Sequence, residues 1–143
     1  MRRNDPDMSF WRKQNVFVTG ATGRLGSWLV EELLRRGAIV ACLVRDWVPV
    51  SHLVTSGLLE RTNVVCGELE DAHLLLRALN DYEIETVLHL GAQTIVGTAA
   101  RSTASTFESN IRGTWNVMEA ARDRGLLDTV GWYREWLGRE VGG

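Results

Sequence analysis

Gly20, Gly23 and Gly26 fall three residues apart in the stretch VFVTGATGRLGSWLVEELL, residues 16–34. Glycines so spaced have a chemical use when a strand precedes them and a helix follows. The first permits a tight turn, the second removes a Cβ so that a pyrophosphate can approach the backbone, and the third lets the helix sit close on the sheet. The helix N-terminus then offers unpaired N–H groups and a positive dipole end to the phosphates. Thr22, Arg24 and Leu25 complete that turn. About twenty residues past the turn, where the adenine ribose of a dinucleotide would lie, come Arg45 and Asp46. An acid there accepts from a 2′-hydroxyl and favours NAD; an arginine pairs with a 2′-phosphate and favours NADP. The sequence offers both. Arg45 comes first after the apolar run and takes the strand tip, and Arg24 can add a second positive group. The expectation is a dinucleotide ligand, NADP preferred, with NAD as the alternative.

These residues need a scaffold, and the apolar pattern supplies one. Val16–Thr19 is β-branched and aromatic, fit for a buried strand. From Leu25 the period changes. Leu25, Leu29 and Leu33, with Val30 and Leu34, predict a helix packed on a sheet, with Glu31–Arg35 and Glu32–Arg36 as i,i+4 pairs on its wet face and Gly37 at its C′ position. AIVACLV (38–44) is a second strand, apolar enough to be covered on both faces. Residues 45–62 contain Pro49 and predict a connection with at most a short helical piece. NVVCG (63–67) is a third strand, Asp71 caps a helix to about Leu79, and TVLHLGA (86–92) is a fourth strand. Phe107, Ile111, Trp115 and Met118 trace a further helix ending near Gly125, and residues 126–138 predict a last amphipathic one. Strands alternating with helices mean βαβ units around a parallel sheet. The expected class is α/β: a partial Rossmann fold of about four parallel strands with flanking helices. Residues 1–125 form the dinucleotide-binding half-domain, and residues 126–143 add a C-terminal helix to the same compact unit.

Composition removes other classes. The chain has 143 residues, 45% of them hydrophobic, enough for one domain with a core. A formal charge of −2 gives no broad attraction to nucleic acid or to an anionic membrane. No apolar run approaches the ~20 residues of a membrane span, and the charged N-terminus has no apolar core of a signal peptide. Cys42 and Cys66 are expected to stay reduced in a cytoplasmic setting. His52, His73 and His89 have no metal-ligand spacing with them, so no metal site is expected.

Four stretches in order, FWRKQNVFVTGATGRLGSWL (10–29), CGELED (66–71), VLHLGAQT (87–94) and TFESNIRGTWNVMEAAR (106–122), make the chain resemble the extended short-chain dehydrogenase/reductases. Within them it is similar to the nucleotide-sugar epimerases and dehydratases, close to the CDP-glucose and GDP-mannose 4,6-dehydratases. The resemblance implies that Gly20, Gly23 and Gly26, with the backbone around Arg24 and Leu25, hold the pyrophosphate. It implies that Glu68 and Leu69 flank the adenine, although the family usually has aspartate at position 68. Leu90, Gly91, Ala92 and Gln93 would lie along the nicotinamide-side ribose, and position 91 is more often alanine in the family. Asn110 would either reach the cofactor or tie the helix to backbone.

The family's chemistry, again by resemblance, is hydride transfer from a sugar to the nicotinamide, with a tyrosine base and a lysine four residues on. That spacing places both groups on one helical face. Lys13 is the sole lysine of the sequence, so no Tyr-x-x-x-Lys occurs in it; Thr86 follows Tyr82 at that spacing and Leu137 follows Tyr133. No catalytic residue is therefore assigned, and the expectation is a dinucleotide-binding module without chemistry of its own; the alternatives are a nucleotide-sugar oxidoreductase completed by a partner chain and a structural or oligomerisation remnant. After about residue 124 the chain looks like the family's terminal helix joined to its first half, as an internal deletion would leave it. Such a chain is expected to expose the edge of its fourth strand and to self-associate as a homodimer or higher oligomer, with the 126–138 helix and Trp132 and Trp136 helping to cover the gap; the alternative is that this helix folds back in its own subunit and the chain stays monomeric.

Overall fold

In a computed structural model, residues 10–92, 104, 106 and 108–126 are described. The predicted helix over 126–138 and the side chains of Gln93 and Phe107 lie outside these residues. Four parallel strands, β1 (Asn15–Thr19), β2 (Ile39–Val44), β3 (Asn63–Cys66) and β4 (Thr86–His89), form one sheet in the order β3-β2-β1-β4. The expected α/β half-sheet is what the chain builds. β1 is central, and Val16, Phe17, Val18 and Thr19 are fully buried. Its side chains alternate between two apolar layers. Val16 and Val18, with Val40, Cys42 and Val44 of β2, face one layer; Phe17, with Ala41 and Leu43, faces the other. Burial on both faces explains why these strands read as unbroken apolar runs.

Helix α1 (Arg24–Arg35) covers the first layer with Val30 and Leu33. It is joined there by the short α2 (His52–Thr55) and a 3₁₀ turn at Leu58–Arg61. Helix α3 (Ala72–Asp81) and helix α4 (Gly113–Asp123), the latter entered through a π turn at Glu108–Arg112, cover the second. The helix stops are locally encoded. At the end of α1, Gly37 takes φ +84°, its N–H donates to the Leu34 carbonyl, and the Ala38 N–H donates to the Leu33 carbonyl. That pair is the Schellman closure, which a residue with a Cβ resists. At the start of α3, the Asp71 carboxylate accepts from the Leu74 N–H at 2.9 Å, as its position predicts.

Three expectations are corrected. Leu25 is 70% exposed, and α1 instead buries Gly26, Ser27, Val30 and Leu33. Close approach at Gly26 sets the phase of the helix, and the buried Ser27 hydroxyl holds it there, 2.9 and 2.8 Å from the carbonyls of Ala21 and Gly23. On the wet face, Glu32 takes both Arg35 and Arg36 at 2.6 Å, while Glu31 turns to His52 Nε2 at 2.8 Å. The two arginines hold the Glu32 carboxyl down at about 2. On α4, Ile111, Trp115 and Met118 face outward, and the buried residues are Gly113, Val117 and Ala120. The side chains of Thr114 and Asn116 find partners on β4 and on the loop after β3. Those bonds turn the small-residue face inward and the large apolar stripe out.

The cysteines sit on adjacent strands, as expected, and both are free. Cys42 is buried among apolar side chains, which pushes its thiol up to about 12 despite a hydrogen bond with Thr62. Cys66 is exposed. Among the described residues, β4 pairs with β1 alone, no group of side chains could hold a metal ion, and no helix is long and apolar enough to cross a membrane.

Candidate functional site

The strand order reverses between β1 and β4, because β2 and β3 are laid on one side of β1 and β4 returns on the other. Loops leaving the carboxyl ends of strands diverge at such a point, and a crevice opens between them. Here the crevice is a cleft of about 430 Å³, lined from the ends of β1, β2, β3 and β4.

The first wall is the glycine turn. Gly20 adopts φ +73°, and a Cβ there would stand 2.6 Å from the Leu90 carbonyl carbon and 2.8 Å from the Gly91 nitrogen. Both the turn and the neighbouring strand exit therefore demand glycine. The Gly23 N–H donates to the Gly20 carbonyl at 3.1 Å, and a Cβ on Gly26 would lie 1.9 Å from that same oxygen. The turn is wound around one carbonyl. Gly23 is the N-cap of α1 and offers no side-chain oxygen to the first-turn N–H groups. The first turn contains Arg24 and no acid. A cation at the positive end of a helix is disfavoured by ~0.3–1 kcal/mol unless an anion joins it.

The second wall is the tip of β2. Arg45 and Asp46 follow its last residue directly, and Arg45 Nε donates to Asp46 Oδ2 at 2.7 Å. Both side chains are more than half exposed, so the pair is worth ~1 kcal/mol at most and opens readily. The third wall comes from Leu69 and Glu70, whose carbonyls accept from Asn116 Nδ2 at 3.0 and 3.1 Å. The fourth is Leu90, Gly91 and Ala92, where the Gly91 N–H donates to Thr19 Oγ1 at 3.0 Å.

Gly20, Thr22, Gly23, Arg24, Leu25, Gly26, Arg45, Asp46, Leu69, Leu90, Gly91 and Ala92, all named from the sequence, line this one cleft. Leu25 does so because it is exposed. Two candidates do not line it. The turn at 68–71, closed by the Asp71 N–H on the Glu68 carbonyl, puts Leu69 and Glu70 on the cleft in place of Glu68. Asn110 lies in the π turn, where its carbonyl accepts from Thr114 Oγ1 at 2.9 Å. Gln93 lies outside the described residues. Thr19, Leu43, Val48, Gly67 and Glu70 line the cleft without having been named. Thr19 and Leu43 could have been found from their places at the carboxyl ends of β1 and β2, where crevices form in open α/β sheets.

The chain matches the family model of GDP-mannose 4,6-dehydratase over residues 17–134. It is 32% identical over 127 residues to the CDP-glucose 4,6-dehydratase of Salmonella typhimurium, which covers 87% of this chain and 35% of that protein. It is 30% identical over 129 residues to a GDP-mannose 4,6-dehydratase of Vibrio cholerae, covering 85% and 35%. Among solved structures, the Thermus thermophilus UDP-glucose 4-epimerase in complex with NAD superposes with a TM-score of 0.68 at 31% identity, over 79% of this chain and 35% of that one. The Thermotoga maritima UDP-glucose 4-epimerase with UDP-glucose gives 0.69 at 26%, with the same coverage. The chain belongs to the GDP-mannose 4,6-dehydratase family and spans about a third of the length of the relatives it matches.

Proposed function

We propose that this member of the GDP-mannose 4,6-dehydratase family is a dinucleotide-binding unit that prefers NADP to NAD and does not turn over a sugar nucleotide by itself. The observation that carries the reading is the cleft at the strand-order reversal. Its lining includes a glycine-wound helix N-terminus with no side-chain cap and an arginine, groups of the kind that suit a pyrophosphate and a 2′-phosphate. When bound, the dinucleotide would supply hydride chemistry. Gly20, Gly23 and Gly26 would hold its pyrophosphate, Arg45 its 2′-phosphate, and the exit of β4 its nicotinamide side.

The reading that this chain alone lacks the chemistry is supported by where Lys13 and Tyr82 stand; Tyr133 lies outside the described residues. Lys13, the sole lysine, precedes β1, and its N–H donates to the Gly37 carbonyl at the foot of the sheet. At ~3.3 Å per residue, it lies ~20 Å from Thr19 at the other end of the strand, beyond the reach of a lysine side chain. Tyr82 closes the C-terminus of α3, just before the chain enters β4, and so also sits at the foot. Neither can act on a ligand in the cleft.

The test is a parallel titration with NADPH and NADH, read by quenching of tryptophan fluorescence; Trp47 is exposed between the cleft-lining Asp46 and Val48. NADPH is expected to saturate at least tenfold tighter, since an arginine–phosphate pair is charge-assisted. Arg45→Asp should reverse the order. A second reading, NAD, has its own observation: Asp46 already neutralises Arg45 at 2.7 Å, and the acid is free to meet a 2′-hydroxyl if the pair opens. Tighter NADH binding that Asp46→Ala abolishes would establish it.

Self-association belongs to the same proposal. Its support is the outward stripe of Ile111, Trp115 and Met118 on α4, all more than half exposed. A contiguous apolar stripe of that kind is the signature of a contact between proteins. A cytoplasmic setting remains part of the reading and rests on the expectation that both cysteines stay reduced.

A further inference from the structure

The exit of β4 is tied to α4 by a continuous run of hydrogen bonds. The Gly91 N–H donates to Thr19 Oγ1 at 3.0 Å, Thr19 Oγ1 lies 2.6 Å from His89 Nδ1, His89 Nε2 lies 2.9 Å from Thr114 Oγ1, and Thr114 Oγ1 donates to the Asn110 carbonyl at 2.9 Å. Each hydroxyl has one hydrogen, and this fixes every direction. The Thr114 hydrogen goes to the Asn110 carbonyl, so Thr114 must accept from His89 Nε2–H. The Nδ1 of a neutral ring is then an acceptor, and it takes the Thr19 hydrogen. Thr19 is fully buried, so its hydroxyl has no water to turn to. The second tether from the same helix is Asn116, which holds the carbonyls of Leu69 and Glu70. Two opposing walls of the cleft are thus positioned from one helix.

We propose that His89 is a positioning residue: as the neutral Nε2–H tautomer it sets, through Thr19, the Gly91 backbone on the cleft floor, and protonation of the ring releases that floor and weakens dinucleotide binding. An imidazolium has a hydrogen on both nitrogens. Nδ1 would then point a donor at Thr19, which already accepts from Gly91, and the Thr19 hydrogen would lose its acceptor. The charge environment agrees with a neutral ring. β1 contains no titratable residue, and β4 none besides His89. On α4, Glu119, Arg122 and Asp123 lie more than a turn beyond Thr114, with Glu119 paired to Arg122, and Arg112 ahead of the helix is exposed. Burial alone lowers the pKa of His89.

This inference extends the proposed cofactor site, and its first measurement needs no ligand. In the free protein, two-bond ¹H–¹⁵N correlation of the His89 ring is expected to show the Nε2–H tautomer. The Gly91 amide is expected to resist hydrogen exchange, and His89→Phe should expose it while melting as a folded protein. Thr114→Val, one link further along, serves if the phenylalanine variant does not fold. The second measurement is calorimetric titration with NAD⁺, chosen because it lacks the 2′-phosphate that itself titrates near about pH 6. As pH falls from about 8 through the ring's own titration, which burial places below the ordinary imidazole range, affinity should fall about three- to tenfold, the scale of one buried hydrogen bond. His89→Gln keeps a donor and an acceptor without titrating and should bind with a flat pH profile; His52 and His73 remain in that variant as controls. An Nδ1–H tautomer overturns the proposal. So does an unchanged Gly91 amide in both variants, or a flat wild-type profile across the titration of the ring. If NAD⁺ fails to bind at every pH while the tautomer and the Gly91 protection are as expected, the cofactor reading falls and the positioning of Gly91 by His89 stands.

Discussion

Gly26→Ala tests whether the glycine turn is as tightly wound as it looks. The new Cβ would sit 1.9 Å from the Gly20 oxygen, 2.7 Å from its carbonyl carbon and 3.0 Å from the Ala21 Cα. All three are backbone atoms, so no side chain can rotate away. Ordinary contact begins at 3.4 Å, and the first turn of α1 must therefore move off the glycine turn by about 1.5 Å. Overpacking of this kind costs ~3 kcal/mol, at the upper end of its usual range. Alanine returns ~1 kcal/mol as a better helix former. The net loss of ~2 kcal/mol corresponds to a melting point lower by about 6 °C for a chain of this size. Gly57→Ala is the control. Its φ of +68° makes alanine uncomfortable, but nothing stands within 4 Å. It should lose ~1 kcal/mol from backbone strain alone and leave dinucleotide affinity unchanged. Thermal unfolding by circular dichroism gives the stabilities, and tryptophan quenching gives the affinities. Gly26→Ala should lose both more stability and at least tenfold in affinity. A Gly26→Ala protein that melts within a degree of wild type and binds NADPH as tightly would refute the reasoning about the turn.

The two thiols should behave as different chemical species. In the folded protein an aromatic disulfide reagent should modify Cys66 rapidly and leave Cys42 untouched, because Cys42 is buried and held up at about 12; in urea both should react, and two fast thiols in the native protein would contradict the packing of β2. The outward stripe of α4 should drive association, so sedimentation velocity is expected to show a dimer or larger species that Trp115→Ser and Met118→Ser convert to monomer. A wild-type chain that sediments as a monomer at high concentration would remove the self-association reading.

Much of the fold is legible because the signals are local and strong. Strands β1 and β2 are short apolar runs largely buried on both faces, Gly37 and Asp71 close and open helices with their own atoms, and the glycine turn announces itself by spacing. The corrections have a common cause. Which face a helix buries depends on the partner it meets. α1 is turned by the contact of Gly26 with Gly20, and α4 by bonds from Thr114 and Asn116 to residues distant in sequence. Glu31 leaves Arg35 for His52, which also stacks on Trp28 with ring centroids 4.0 Å apart, a partnership across the 45–62 connection that spacing within α1 does not reveal. The same holds for the cleft. Twelve of its lining residues are legible as site candidates, whereas Leu43 reaches it from the end of β2, beside Val65 of β3, a placement that only the sheet reveals.

Helices α1 and α3, on opposite faces of the sheet, begin differently, and the difference bears on the proposed site. α3 begins on Asp71, whose carboxylate satisfies the Leu74 N–H, so that helix end needs nothing further. α1 begins on Gly23, with no side-chain cap and with Arg24 in its first turn. By itself this is a poor helix start: a good cap is worth ~1 kcal/mol and the misplaced cation costs a little more. Departures from local preference gather where function requires them, and under the proposed function an anion at the cleft would offset this one. A trade should follow. Gly23→Asp would give α1 the cap that α3 has. Its backbone, at φ −72° and ψ 168°, already suits an aspartate, and the new Cβ would meet only the Gly20 oxygen, at 3.2 Å. The cap gain of a few tenths of a kcal/mol over glycine, with relief of Arg24, should offset that close contact. Stability is expected to hold or rise slightly, while the carboxylate occupies the place of the pyrophosphate and repels it, and dinucleotide affinity falls by at least a hundredfold. If Gly23→Asp binds NADPH like wild type, the phosphates do not sit on the N-terminus of α1. If it unfolds the protein, the cap is not what that helix end lacks.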